Sequence, residues 1–475
     1  MRAERIESKK NLLDYRQKVG LEFDKARLNQ MQVECARHYE AYFKQFGRKP
    51  PAMFHMVARN IGQTKSYKLY MEQYKTRTSK IITRKYKVNG TPVNWGSWRQ
   101  FTSATDDSKA RKEVFDTFVK KASILSPIVR ARFDRIARTM KNLGTDPLSN
   151  YLTLEGISLK DLLTFVDRMG RGLKPGFIET LNHYAGEILG REAEYFDDYY
   201  FFRSRVFRKY EASFPAHADP VTQIVKTMHN MGLDATNVQV DDANRKGKSP
   251  SAFCYAIRIP MDIRLSYRRS NPLSDFASVF HEFGHGIHFS SIEPDASYEE
   301  KYGVPMGVAE IFSIFFESLM EEPLYLKREL GLSESIISDL LDRLRFNKLF
   351  FAVFYSANSM MKLSYWRDRL SIEEAAELYS DLTEKYVGIR YPGMYWLLHH
   401  VMPDYALYSP SYLIAAVRAR ELREALVARY GERYWEEKES GRFLKKLMSR
   451  GRGIELEQFS RMDELPFVEH ARVAA

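Results

Sequence analysis

Apolar residues recur at helical spacing along most of this chain, and that period predicts a mainly α protein. It marks helices over 12–47, 52–78, 109–143, 159–173 and 175–210, with Gly47-Arg48-Lys49-Pro50-Pro51 punctuating the first two. Between Asn89 and Ser108, where Gly90, Pro92 and Gly96 fall, the pattern loosens. After Gly232 the period changes. Val238–Asp241, 257–259 and 263–267 read as short strands, and a helix then follows for which Ser274 is the expected N-cap and Asp275 suits the first-turn dipole. Helical spacing returns over 306–320, 333–358, 371–386, 410–428 and 431–449. The pattern divides the chain into an N-terminal helical lobe (1–230), a middle region carrying the chemistry (231–430) and a C-terminal helical segment (431–475). No internal repeat or low-complexity tract is present.

Composition narrows the class. With 475 residues, 44% hydrophobic and 28% charged, the chain is long enough to bury a large core and too apolar for disorder. A formal charge of +12 raises a nucleic-acid reading. The 61 acidic residues are interspersed among the 73 basic ones, so solvated helical surfaces explain the charge and no nucleic-acid partner is expected. No apolar run approaches 18 residues, and the first ten residues lack a signal-peptide core, so neither membrane span nor secretion is expected. Cys35 and Cys254 are too few for a disulfide framework and fit a reducing cytoplasm.

The chemistry concentrates at His281-Glu282-Phe283-Gly284-His285. On a helix, i and i+4 share a face, so both imidazoles can reach one tetrahedral zinc. Glu282, beside the first of them, can take a proton from the water that a zinc activates. A catalytic zinc needs a third protein ligand and keeps one position open. His288 lies roughly 10.5 Å from His281 along a helix axis, too far to share the ion; it reads as a packing or supporting residue. Glu310 is the better ligand, because a carboxylate in the apolar stretch Val308–Phe316 is costly to bury unless it binds a metal or a donor. Glu317, two turns on, is suited to hold the free ring N–H of a ligand His.

These residues resemble peptidase family M3, the group of thimet oligopeptidase and oligoendopeptidase F. The likeness rests on His281-Glu282-Phe283-Gly284-His285-Gly286-Ile287-His288, on Glu310 at 25 residues after the second His, and on Glu317 seven further on. Ala309-Glu310-Ile311-Phe312-Ser313 and Gly247–Cys254 are most similar to the oligoendopeptidase F branch. The resemblance runs from about 240 to 415, and residues 1–200 share only helical, aromatic-rich character. It implies two helical lobes around a deep substrate channel, with a small β-sheet next to the zinc helix, and zinc-dependent endopeptidase action on short peptides. It also implies that a His and several Tyr in 399–412 polarise the scissile carbonyl and hold the oxyanion. His400, Tyr405, Tyr408 and Tyr412 are the residues so placed, with His399 an alternative to His400 and Tyr408 one residue out of one subgroup's register. Ser251-Ala252-Phe253 reads either as an edge strand that pairs with substrate backbone or as an ordinary structural strand. The rival readings are a helical zinc carboxypeptidase, which needs a basic group to clamp a terminal carboxylate, and a non-enzymatic helical binding protein with a structural zinc.

Overall fold

The computed structural model describes residues 2–46, 85–210, 213–214, 218–398 and 407–454. In chain order these form α1 (Arg2–Lys18), α2 (Lys25–Phe46), β1 (Tyr86–Val88), β2 (Thr91–Val93), α3 (Trp98–Ala104), α4 (Ser108–Ala122), α5 (Ser126–Asn142), α6 (Pro147–Glu155) and α7 (Leu159–Leu189). Then come α8 (Pro220–Met231), β3 (Val238–Asp241), β4 (Phe253–Arg258), β5 (Asp262–Ser266), α9 (Pro272–Ser291), α10 (Tyr298–Tyr302) and α11 (Met306–Glu317). The chain continues through α12 (Pro323–Leu330), α13 (Glu334–Asp368), α14 (Ile372–Val387), α15 (Ser409–Tyr430) and α16 (Lys438–Met448). The protein is mainly helical, as its periodicity predicts.

Several boundaries differ from the periodic reading, each for a local reason. The expected single helix over 12–47 is two, α1 and α2, separated where Gly20 takes φ +70°, a conformation a helix cannot continue through. Conversely, α7 runs unbroken through Pro175, where two helices are expected, because one stripe from Leu162 through Val166, Met169, Leu173, Phe177 and Leu181 is buried along its whole length. It stops at Gly190 in the left-handed conformation, and the chain to Arg205 is a 3₁₀ turn followed by a π-helix. The loose region near Asn89 contains a hairpin: Asn89 and Gly90 take φ +50° and +78°, the signs of a two-residue turn joining β1 to β2. The expected helix over 52–78 lies outside the described residues.

The described chain forms two compact units, neither of them a continuous stretch. The first takes in the described parts of Met1–Val57, Tyr210–Leu341 and Ile414–Pro466. Its sheet has the order β3-β5-β4, with β3 parallel and β4 antiparallel to the central β5. The strand expected at 257–259 begins earlier, at Phe253, and stops before Pro260, which has no N–H to offer a ladder. The sheet packs on α9, and α9 packs on α11; Phe280, Phe283 and Ile287 of α9 and Phe312, Phe315 and Phe316 of α11 are all buried.

The second unit takes in the described parts of Ala58–Lys209 and Asp342–Leu413. Aromatic rings fill its core: Phe177 stacks on Phe346 at 5.8 Å, and Phe202 on Phe350 at 4.0 Å. Buried Asp197 lies between Arg111 (3.0 Å) and Arg191 (2.8 Å). An unpaired carboxylate there would cost several kcal/mol, on the order of the desolvation of one ion.

Candidate metal centre

The start of α9 is set by Asn271, not by Ser274. The Asn271 side chain accepts from the Ser274 N–H at 3.0 Å, and Pro272 at the first helical position has the φ the helix requires. Asp275 in the first turn accepts from the Ser270 N–H and hydroxyl. One turn apart further along α9, the His281 and His285 rings lie 5.1 Å from each other at 82°.

Glu310 reaches these rings because α9 and α11 cross at very short range. A Cβ on Gly284 would sit 2.4 Å from the Phe312 carbonyl oxygen and 2.6 Å from Ser313 Cα, so only glycine allows this approach. We expect Gly284→Ala to push the helices apart, with overpacking costing about 1–3 kcal/mol. Thermal melts and chelator competition check this: both Tm and metal retention should fall, and unchanged metal affinity would show that the crossing does not position Glu310.

At the crossing, Glu310 Oε2 lies 3.3 Å from His281 Nε2 and 3.6 Å from His285 Nε2. The ligand atoms of His281, His285 and Glu310 all lie within 4.8 Å of one another. The donor set fits zinc. Ligands about 2.0–2.1 Å from a tetrahedral ion are separated by edges of about 3.3 Å, close to the spacing found here. Charge agrees as well: Glu282, Glu310 and Glu317 converge on two imidazoles, a negative excess that a dication offsets.

The surroundings orient two of the three candidate ligands, His281 and Glu310. His281 Nδ1 lies 2.8 Å from Glu317 Oε2 and donates to it, which turns Nε2 and its lone pair toward Glu310 and His285. Glu310 is 1% exposed, and Ser313 donates to its Oε2 at 2.9 Å. Burial disfavours charge on His281, but the Glu310 and Glu317 carboxylates outweigh that and raise its pKa well above the ordinary value. His285 is pushed down to about 4, chiefly by burial, with Glu310 opposing. Burial raises Glu282 to about 7; the neighbouring carboxylates add to this, while His281 and the Cys254 backbone N–H oppose it. Glu282 is therefore a carboxylate with an affinity for protons near neutrality.

His288 is fully buried, its ring 4.5 Å from that of Phe312 and 5.4 Å from that of Phe289. Neither ring nitrogen has a hydrogen-bond partner among the described residues, and burial lowers its pKa to about 3. It packs the crossing as a neutral ring. Sequence reasoning missed Gly284 and Ser313. Their signal lay in the small residue between the two His and in a hydroxyl one turn after Glu310.

Of the residues in 399–412 picked out by resemblance, His399, His400 and Tyr405 lie outside the described residues. Tyr408 and Tyr412 belong to the second unit, where their rings meet edge-on at 4.8 Å. Tyr412 also contacts Tyr355 (5.4 Å) and Phe351 (6.0 Å).

Residues 236–416, which contain this crossing and both described tyrosines, match the model of peptidase family M3. That segment belongs to family M3. The family consists of zinc-dependent metallopeptidases, in keeping with the His-His-Glu cluster. No curated protein matches the chain in sequence. Solved structures do match it in fold. PZ peptidase A aligns over 96% of this chain and 84% of its own at 14% identity, with a TM-score of 0.62. A protein assigned as oligoendopeptidase F aligns over 96% and 83% at 13% identity, with a TM-score of 0.63. Metallocarboxypeptidase 1 of Trypanosoma cruzi aligns over 98% and 99% at 15% identity, with a TM-score of 0.57. Among the described residues no helix is long and apolar enough to cross a membrane.

Proposed function

We propose that this M3 metallopeptidase is an endopeptidase that hydrolyses internal bonds of short oligopeptides. The observation that carries the reading is the placing of Glu282, a half-buried carboxylate with a raised pKa, next to the converging His281, His285 and Glu310. A zinc held by those three residues would supply a positive pole for the peptide carbonyl and activate a water. Glu282 accepts the proton of the attacking water and passes it to the leaving amine. Glu317 keeps His281 in one tautomer, and Ser313 keeps the Glu310 carboxylate in place. His400, Tyr405, Tyr408 and Tyr412 are proposed as donors to the oxyanion, where a hydroxyl aimed at developing charge contributes most.

The edge of the sheet offers a place for substrate backbone. Along β4, Cys254 and Ala256 stand opposite Leu265 and Ile263. The Ile263 N–H points the other way, to Asn237 O at 3.0 Å, so Ala256 turns its own N–H and carbonyl outward. By the same alternation Cys254 does too, with its N–H donating to the Glu282 carboxylate and its carbonyl facing outward beside it. An extended peptide adding to that edge would lie next to the proposed base.

Digestion of a peptide blocked at both ends, with the products sequenced by mass spectrometry, tests the function. Internal cleavage supports the proposal; no cleavage of the blocked peptide, with residues released one at a time from a free C-terminus, would assign a carboxypeptidase instead. Retained zinc without turnover on any peptide would leave only a binding role. For the tyrosines, Tyr→Phe at 405, 408 and 412 should lower kcat by about 10²–10³ with little change in KM or Tm where the hydroxyl holds the oxyanion. A tyrosine that only packs should tolerate Phe. His400→Ala should behave like the catalytic tyrosine variants and His399→Ala should not.

A further inference from the structure

The outward edge of β4 is closed at one point. Asn11 on α1 donates its side-chain N–H to the Ala256 carbonyl at 2.9 Å, taking the acceptor that an added strand would need there. The helix that carries Asn11 is fastened to the sheet. The Ser249 N–H donates to Lys18 O at 2.7 Å, and Arg245 Nε donates to Val19 O at 3.1 Å. Gly20, at φ +70°, comes so close to the same loop that a Cβ would lie 2.6 Å from Lys246 O. Tyr15 and Val19 bury themselves against Ile257, and the Tyr15 ring meets those of Phe253 and Tyr255 at 6.2 and 6.4 Å. The regular register of β4 also breaks between Ala256 and Arg258, and such irregularities end strand pairing.

We propose that Asn11 is a specificity-determining residue: it stops a bound peptide strand at Ala256, leaving the outward Cys254 carbonyl and the backbone before it as the template beside Glu282. The inference rests on the strand-adding reading given above. Antiparallel pairing, the more stable arrangement per residue, directs a peptide's N-terminal end toward Ala256 and α1. Peptide residues added on that side therefore gain no main-chain bonds, whereas residues added at the C-terminal end run away from α1.

The test uses the full chain with chelator present, so that binding is read without turnover. Fluorescence anisotropy measures the Kd of two peptide ladders of one parent sequence, one lengthened at the N-terminus and the other at the C-terminus. For the unaltered protein, Kd should stay within about two-fold as the N-terminal ladder grows. With Asn11→Ala, two further N-terminal residues should tighten binding by about five-fold, the effect of about one recovered hydrogen bond. The C-terminal ladder should behave alike in both proteins. Asn11→Asp, which keeps the size but replaces the donor by an acceptor, guards against a fold lost in the first variant, and melts accompany both. The proposal is overturned if N-terminal extension tightens binding to the unaltered protein, if folded variants show its same flat profile, or if no peptide binds. Activity is read separately: an intact binding pattern with no hydrolysis after zinc is restored counts against the peptidase function and not against the stop at Asn11.

Discussion

Glu282→Gln should bind zinc as the unaltered protein does and yet turn over peptide roughly 10²–10⁴ times more slowly. Glutamine has the shape of glutamate and keeps an oxygen to accept from the Cys254 N–H, so the packing around α9 has no reason to change. What it loses is basicity. Burial and the charges of Glu310 and Glu317 raise Glu282 to about 7, which suits a group that must first take a proton and then give it up. A group whose pKa is raised by burial makes the folded protein less stable above that pKa than a neutral isostere would. Tm at pH 8 should therefore be unchanged or slightly higher in the variant. Metal analysis, kcat on a quenched peptide and a thermal melt together decide the matter. Near-normal hydrolysis by zinc-loaded Glu282→Gln would remove Glu282 from the chemistry.

Much of this site was legible in the chain because its signals are local. His281 and His285 need only the helical repeat to share a face, and Glu310 stands out as an acid in an apolar stretch. The mainly α class followed from period, as did β3 and β5, while most of β4 and the β1–β2 hairpin did not. Less legible was whatever depends on two distant segments meeting. Gly284 looks like an ordinary helix-weakening residue until α11 is placed against it. Asn11 carries no motif at all; its meaning comes from a strand some 245 residues away in sequence. Ends of elements were misplaced where a neighbour overrode local preference, as at Pro175, where a buried stripe carries the helix on, or at Ser274, where the stronger Asn271-Pro272 start precedes it.

The order of metal loss among variants should separate ligand from support. Glu310→Ala removes a donor atom and leaves two imidazoles on one helix, a weak site that should give up zinc at modest chelator concentration. Glu317→Ala leaves all three donors but frees His281 Nδ1, so the ring can rotate and change tautomer; affinity should fall by about 10–100-fold. Ser313→Ala belongs with the second kind, because it removes a donor to Glu310 Oε2 without touching the imidazoles. Its hydroxyl also draws electron density from that oxygen, so part of the loss in orientation is offset by a more basic ligand, and its effect should be the smallest of the three. Chelator competition followed by metal analysis gives the ranking directly, with Glu310→Ala losing most. If Glu317→Ala strips the metal while Glu310→Ala retains it, the ligand and its support must exchange places. The Glu310 carboxylate would then be one more buried acid stabilised by Ser313 and the two imidazoles, and its place at the helix crossing would need another explanation.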